Sequence, residues 1–424
     1  MKNRKAILLL FLANTLSGFS QGITVIAIPW YFNDTLSQPG MFGQLYLFVT
    51  FISLFWGLYV GTLVDRYSRK NLFLTENLIG SVCLLLAGLA CATTGNPVPV
   101  LVGTVFAITF WIYNLHYPSL YAFAQELLER ENYSRITAYI EVQGQVTTMV
   151  AGALAAVLLL GAPNGIVEIA GYHISMPFQF EAWSLSKVFL FDGCTYLLAA
   201  FIISLISFEP IAIRKKETGG VVAQLMLGLS FLKKNPLLFV FGNAAYFIFV
   251  TIMVANFWLF PNFISSTLEG SAADYSFAEM CYALGAVLSG LLVRYVFSKS
   301  NAVFACIIMS AMASLTFLLL FAGASLQQFF ILILFLAMAN SGSRIMRISY
   351  LLERIPNQYI GRTNSAFFVI NVFFRLICIA LFSTVFFTEN VRYTFLVFAI
   401  LCLVAVVALL VKYKDLVKLE TAHE

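Results

Sequence analysis

Charged side chains are scarce in this sequence of 424 residues. Asp, Glu, Lys and Arg make up 11% of it and hydrophobic residues 61%, whereas an ordinary soluble domain is about 25% charged. A soluble fold of this composition would have too little polar surface to cover its apolar core. The scarcity therefore excludes an ordinary soluble protein and predicts an all-α membrane protein that crosses the bilayer repeatedly.

Histidine and cysteine are present, but not in the groups that metal binding or catalysis requires. The 3 His are scattered, His116 has no second ligand near it in the sequence, and the 7 Cys lie in apolar segments without a CxxC pair. The G-x-x-x-x-G-K-[ST] phosphate loop of ATP-driven proteins does not occur either. We therefore predict no enzymatic activity, no cofactor, no metal site and no nucleic-acid partner, with an integral-membrane enzyme as a remote alternative.

The sequence also lacks the pattern of a cleavable signal peptide. Lys2, Arg4 and Lys5 precede an apolar run that reaches about residue 32, which is too long for a signal-peptide core. We expect this run to be the first of twelve membrane-spanning helices, because backbone polar groups in lipid must bond within a helix. The predicted spans are 6–32, 41–64, 72–94, 98–121, 138–161, 187–208, 237–262, 274–296, 302–323, 327–350, 364–387 and 392–412.

Lys and Arg are distributed very unevenly between the segments that join these spans. If both termini are cytoplasmic, all 25 Lys and Arg lie on the cytoplasmic side or at the cytoplasmic ends of spans, except Lys187 and Arg392, which lie outside, and Arg375, which lies in the middle of a span. Cytoplasmic loops of membrane proteins carry an excess of positive charge. The distribution therefore predicts that both termini are cytoplasmic.

An internal repeat divides the twelve spans into two halves. Residues 127–130 after span four and 351–354 after span ten both read Leu-Leu-Glu-Arg. Matching features in the two halves are typical of a duplicated membrane protein. We predict an N-terminal six-helix bundle over 1–208, a cytoplasmic linker with an amphipathic helix over 209–236, and a C-terminal six-helix bundle over 237–424.

The loop between spans two and three reads Gly-Thr-Leu-Val-Asp-Arg-Tyr-Ser-Arg-Lys over 61–70. It resembles the G-x-L-x-D-R-x-G-R-K loop of major facilitator superfamily transporters, with Ser68 in place of the second glycine. The resemblance implies two pseudo-symmetric six-helix bundles that rock around a central substrate site. It also implies a conformational latch in which Asp65 meets a helix N-terminus in the other half, for which residues 363–365 are the natural place. The latch residues would be Gly61, Asp65, Arg66, Arg69 and Lys70.

Three further stretches are similar to bacterial efflux carriers of the macrolide- and enterobactin-exporter type. They are Pro118 with Glu126, Leu127, Glu131 and Asn132, the Pro-x-x-x-x-Gly-Arg stretch over 356–362, and the segment 228–236. This resemblance implies a monomeric secondary transporter of the bacterial inner membrane that exports an amphipathic or anionic small molecule. Protons are a candidate coupling ion. An importer and a lipid-type flippase are alternatives, and an apolar cavity with a basic rim would favour the flippase.

Other proton-driven drug antiporters carry an arginine in span four and a Gly-Pro pair in span five, and this sequence has neither. Their proton-coupling residues therefore cannot be transferred to it. The coupling candidates are Glu141, Glu279 and Asp34, although Asp34 and Asp192 lie near the outer ends of spans, where solvated or capping roles are expected. Glu76, a turn inside span three, is expected to pair with the basic loop before it.

Arg375 lies near the middle of span eleven, where a charge is costly and indicates function. It either contacts a substrate anion, forms a gating pair, or forms a structural ion pair for which Glu279 is a candidate. Arg344 and Arg347, near the inner end of span ten, are expected to reach lipid phosphates.

Spans one, four, seven and ten line the central cavity in the superfamily that this chain resembles. Their polar side chains are therefore candidates for substrate binding, although each would also serve to join helices. With Arg375, the candidate substrate-binding residues are Asn14, Ser17, Gln21, Asn114, Tyr246, Asn256 and Asn340; His116 and Asn243 lie on the same spans.

Overall fold

The computed structural model describes residues 3–128, 133–169, 171–208, 221–297 and 300–421, and these are helical almost throughout. Within the described residues, twelve helices are long and apolar enough to cross a membrane. Each overlaps one of the twelve predicted spans. The prediction of an all-α membrane protein with twelve spanning helices is therefore confirmed.

The first half of the chain contains six long helices and one short hairpin. Their bounds are α1 Arg4–Trp30, which continues as a π-helical turn over Tyr31–Thr35, α2 Pro39–Arg66, α3 Arg69–Thr94, α4 Pro99–Glu126, α5 Tyr133–Leu160, β1 Ile166–Ile169, β2 Tyr172–Ser175 and α6 Leu185–Ser204. The two strands pair antiparallel, with Ile166 opposite Ser175.

The second half contains the remaining long helices and several short ones. Their bounds are α7 Val221–Lys234, α8 Pro236–Val254, a π-helical turn over Ala255–Leu259, α9 Phe260–Ser266, α10 Ala272–Val296, α11 Ala302–Ala322, α12 Leu326–Arg354, α13 Asn357–Phe382, α14 Val385–Glu389, α15 Arg392–Val411 and α16 Tyr413–Thr421.

Local sequence signals set several of these helix ends. Pro99 and Pro236 open α4 and α8 at the first helical position, where the missing N–H leaves no bond unmade. Ser325 and Gln328 form a reciprocal capping box at the start of α12. Gly95 ends α3 in the left-handed conformation, with φ of 73°.

Helices α12 and α13 extend beyond their predicted ends. α12 continues to Arg354, and α13 begins at Asn357 directly after Pro356. Residues 363–365 therefore lie inside a helix, where the Thr363 hydroxyl donates to the Tyr359 carbonyl at 2.9 Å. The expectation that 363–365 forms a helix N-terminus is wrong, because hydropathy marks only the apolar part of a helix whose polar end continues beyond it.

The described residues pack into two compact units. Unit 1 takes in those within 1–37, 55–218 and 270–280, and unit 2 those within 38–54, 219–269 and 281–424. The units follow packing rather than chain order. The predicted division into 1–208, 209–236 and 237–424 stays a prediction.

Each unit has its own apolar core. In unit 1, Leu10, Phe73, Phe123 and Ile203 bring α1, α3, α4 and α6 together. In unit 2, a corresponding cluster joins α8, α12, α13 and α15 through Phe241, Tyr350, Phe367 and Leu409. The polar side chains buried beside these cores are therefore the groups that need a functional or structural explanation.

Helix α7, in the predicted linker, packs against α13 within unit 2. The Phe231 and Tyr359 rings stack with their centroids 4.6 Å apart, and the Arg362 guanidinium donates to Gln224. Gly228 lies directly against the Arg362 backbone. The amphipathic helix predicted for this segment is thus a fixed part of unit 2.

Candidate functional site

A buried network of polar side chains joins four helices of unit 1. Glu76 of α3 meets His116 of α4, with 2.9 Å between Oε1 and Nδ1. The other ring nitrogen, Nε2, lies 2.8 Å from Oδ1 of Asn14 on α1. The Asn14 amide donates to Gln143 of α5 at 3.0 Å, and Gln143 donates to the Phe11 carbonyl at 2.7 Å. The network therefore runs from a buried acid to a backbone carbonyl.

The expectation that Glu76 pairs with the basic loop is wrong. Arg69 is held instead by Glu126, with 2.6 Å between the guanidinium and the carboxylate. Lys70 donates to the carbonyls of Ser204 and Ile206. Since these bases have other partners, Glu76 turns inward to His116 and is only 2% exposed.

A second buried acid in unit 1 lies on α6. Asp192 is fully buried, and its carboxylate accepts a hydrogen bond from Thr24 of α1. Ser20, one turn earlier on α1, bonds to Thr195 of α6. The expectation that Asp192 is solvated or caps a helix is wrong, because the close packing of α1 on α6 covers it.

The three coupling candidates have different surroundings. Glu141 accepts a hydrogen bond from the Tyr121 hydroxyl at 2.6 Å. Glu279 is half-buried on α10, in the part of that helix that belongs to unit 1. Asp34 is exposed on the π-helical turn after α1 and accepts a hydrogen bond from Trp30. None of these contacts tests a coupling role, which stays a prediction.

Arg375 lies in the interior of unit 2 and is 5% exposed. Its guanidinium hydrogen-bonds to the hydroxyl of Tyr46, which itself donates to the Met253 carbonyl at 2.8 Å. Nε of Arg375 has no hydrogen-bond partner among the described residues. The same holds for both polar atoms of the Asn371 side chain, one turn earlier on the same face of α13. Unit 2 thus holds buried polar groups with unused bonding capacity.

Arg347 is a second buried arginine of unit 2, at 4% exposure. Its guanidinium carbon lies 3.5 Å from the centre of the Tyr246 ring, a cation–π contact. Its Nη1 donates to the Ala245 carbonyl at 3.1 Å. The expectation that Arg347 reaches lipid phosphates is wrong, because α12 continues to Arg354 and leaves Arg347 about two turns inside the helix.

The remaining candidate binding residues are mostly bonded within or between helices. The Asn340 amide donates to the Tyr282 hydroxyl at 2.7 Å, and the Asn114 amide to the Phe110 carbonyl at 3.0 Å. Ser17 donates to the Ala13 carbonyl at 3.1 Å. Gln21 is buried on α1, Asn256 lies in the π-helical turn after α8, and Asn243 donates to the Phe239 carbonyl. These contacts leave a role in substrate binding as a prediction.

The latch loop is described only in part. Arg66 is exposed at the end of α2, and Arg69 is buried against Glu126 at the start of α3. At Gly61, Thr62 and Asp65 only the backbone is described, and the segment that holds Glu131 and Asn132 lies outside the described residues. The latch therefore stays a prediction.

Several residues of these sites escaped the sequence reasoning. Gln143 and Tyr46 lie in largely apolar spans, and nothing in their spacing identifies their partners. Asn371 carried a usable signal, because it lies four residues before Arg375 and so shares its helix face.

Comparison with known proteins gives one family and a consistent fold. A family model described as Major Facilitator Superfamily matches residues 10–261. Macrolide efflux protein A of Streptococcus pyogenes is 22% identical over 246 residues, which cover 55% of this chain and 52% of that protein. The protein of the same name from Enterococcus faecalis has the same identity, and the match covers 66% of it. The chain thus spans about half of the length of the Streptococcus relative.

Solved structures show the same architecture over nearly the whole chain. A bacterial homologue of the iron transporter ferroportin, in an inward-facing state, has a TM-score of 0.70 at 14% identity. The match covers 96% of this chain and 98% of the homologue. A bacterial homologue of the human lysosomal transporter Spinster has a TM-score of 0.67 at 14% identity, with coverages of 99% and 98%. At such low identity these likenesses concern the fold alone.

Proposed function

The chain belongs to the major facilitator superfamily of transporters, and from that premise we propose that it is a secondary transporter that exports an amphipathic small molecule bearing an anionic group. It would work by alternating access in a bacterial inner membrane, with both termini cytoplasmic. An ion gradient or the gradient of the substrate itself would supply the energy, since the sequence contains no G-x-x-x-x-G-K-[ST] loop.

The charge of the cargo is inferred from one observation. Arg347 and Arg375 are both buried in unit 2, and neither pairs with a carboxylate among the described residues. A buried cation without a counter-ion is costly, most of all in a membrane. An anionic ligand would supply that counter-ion through charge-assisted hydrogen bonds. The unused Nε of Arg375 and the unused amide of Asn371 favour the same interpretation.

The direction of transport rests on the relatives. Both carry efflux in their names, at 22% identity and over part of their length. We transfer the direction from them, whereas the charge of the cargo is argued from the buried arginines of this chain.

Vesicle transport assays test cargo charge and direction together. Inside-out vesicles that contain the chain should accumulate the anionic amphiphile anilinonaphthalene sulfonate when energised, and right-side-out vesicles should not. A macrolide antibiotic and the cation tetraphenylphosphonium serve as competing cargoes, and vesicles without the chain as the control. Preferential uptake of the cation would refute the anionic cargo, and accumulation in right-side-out vesicles alone would refute export.

Replacing Asp65 by Asn is expected to impair this transport without reducing insertion into the membrane. The resemblance assigns the Asp65 carboxylate to an interaction that holds one conformational state, and an amide removes its charge but keeps its shape. Initial transport rate and membrane abundance should be measured side by side. Unchanged transport at normal abundance would count against the latch.

A further inference from the structure

One backbone carbonyl determines the direction of the hydrogen bonds that run from Gln143 to His116 in the unit 1 network. The Phe11 oxygen can only accept, so the amino group of the Gln143 side chain must point at it, 2.7 Å away. Oε1 of Gln143 then accepts from Nδ2 of Asn14 at 3.0 Å. Oδ1 of Asn14 is left as an acceptor toward His116. Nε2 of His116 must therefore carry a hydrogen.

The contact between Glu76 and His116 must contain one further proton. Oε1 and Nδ1 are 2.9 Å apart, and a hydrogen bond at this distance requires a hydrogen on one of the two atoms. With that hydrogen on Nδ1, an imidazolium pairs with a carboxylate. With it on Oε1, a neutral acid donates to a neutral imidazole. Both arrangements hold the same number of protons and carry no net charge.

The network as built cannot absorb the loss of this proton. The lone pair of Nδ1 would face a carboxylate oxygen, and a net negative charge would remain on a pair that is almost fully buried. Oε2 of Glu76 already has no hydrogen-bond partner among the described residues. Reversing the imidazole tautomer would require both amides to turn over. That would set Oε1 of Gln143 against the Phe11 oxygen, two acceptors in contact.

The surroundings of the pair offer no positive charge that would stabilise the deprotonated form. Within the described part of the chain, Glu76 forms no ion pair with Lys or Arg, and Arg69 on the same helix is held by Glu126. The network supplies only amides from α1 and α5. The titratable groups next to the pair are Tyr196 of α6, which interacts with Glu76 and also with Asp192, and Tyr117 of α4, whose ring lies against that of His116. None of them is cationic.

We propose that Glu76 and His116 form a proton-binding site through which unit 1 couples transport to a proton gradient. While a proton lies between Glu76 and His116, the network joins α1, α3, α4 and α5. When the proton leaves, the bond between α3 and α4 is lost, and the carboxylate left behind requires water. The coupling rests on the transport activity proposed above, whereas proton binding does not.

Proton release from the purified full-length chain tests the site without any substrate. In a titration in detergent from about pH 6 upward, where ordinary exposed carboxylic acids have already lost their protons, the wild type should release one proton more than Glu76→Gln, because an amide keeps a donor toward Nδ1 but has no dissociable proton. Glu168→Gln is the matched control, since it makes the same chemical change at an exposed acid on β1, outside the network; over this pH range it should release as many protons as the wild type. His116→Gln is the second variant, which keeps a donor for Asn14 without an imidazole. Equal release by the wild type and both network variants would overturn the proposal.

Proteoliposomes test the coupling with anilinonaphthalene sulfonate as the probe. Under an imposed proton gradient, Glu76→Gln should lose accumulation of the probe above its equilibrium level yet retain downhill flux. Glu168→Gln should behave as the wild type. A purely structural role would lower both rates together, so retained accumulation or a parallel loss of both would refute coupling. If the wild type moves no probe but still releases the extra proton, the proposed cargo fails and the proton site stands.

Discussion

Replacing Arg375 by alanine is expected to weaken the binding of an anionic amphiphile by about 10- to 100-fold while the helical fold stays intact. A hydrogen bond to a charged group contributes about 1.5–3 kcal/mol, and about 1.4 kcal/mol corresponds to a tenfold change in affinity. Arg375 has a guanidinium Nε without a partner among the described residues. The variant therefore removes bonding capacity that the folded chain leaves unused.

Little stability should be lost in this variant. The Tyr46 hydroxyl keeps its bond to the Met253 carbonyl at 2.8 Å, so no polar group is stranded when the guanidinium is removed. The hydrogen bond between the charged Arg375 guanidinium and Tyr46 is lost, at a net cost of about 1.5–3 kcal/mol. Removing a buried, uncompensated charge offsets part of this cost. Loss of binding at nearly unchanged stability is the signature that separates a ligand contact from a structural ion pair.

Two measurements on one preparation decide between these roles. Fluorescence titration with anilinonaphthalene sulfonate gives the affinity, and thermal unfolding in detergent gives the stability. Arg392→Ala is the matched control, because Arg392 is exposed at the start of α15. Arg375→Lys keeps the charge but lacks the planar donor fork, and its affinity should lie between those of the wild type and Arg375→Ala. Retained affinity together with a large loss of stability would establish the structural role instead.

The spanning helices could be predicted from sequence because length and hydropathy determine them directly. Each of the twelve predicted spans overlaps one helix of the structure. Helix ends were less predictable, and the wrong end predicted for α12 led to a wrong placement of Arg347. A span that ends at 350 places Arg347 close to the membrane surface, whereas the helix continues to Arg354 and Arg347 is buried.

The sequence identifies the polar residues of these sites, but it does not show which of them contact each other. Glu76, His116 and Asn14 stood out as polar groups in apolar spans, yet 102 residues separate Asn14 from His116. Which of them meet depends on how each helix is rotated about its axis, and the sequence does not give that rotation. Glu76 was assigned to the nearby bases because they are close in sequence, but Glu126, 57 residues after Arg69, takes Arg69 instead.

Replacing Gly228 by alanine is expected to destabilise unit 2 by about 1–3 kcal/mol, the usual cost of forcing extra volume into a packed interface. A Cβ at this position would lie 2.1 Å from the Arg362 carbonyl oxygen and 2.5 Å from its carbon. These are backbone atoms of α13 that no side-chain rotation can move. Helix α7 would therefore have to shift outward, which would weaken the stacking of Phe231 on Tyr359.

Gly290→Ala supplies the matched control, because a Cβ there would meet nothing within 4 Å. An exposed helical alanine is favoured over glycine by up to about 1 kcal/mol, so this variant should unfold at the same temperature as the wild type or slightly above it. The same gain in helix propensity applies at Gly228, so any loss there must come from contact with α13. If both variants proved equally stable in thermal unfolding, α7 would not be packed against α13. A destabilised Gly228→Ala would establish α7 as a structural member of unit 2, although its sequence alone indicates only an amphipathic surface helix.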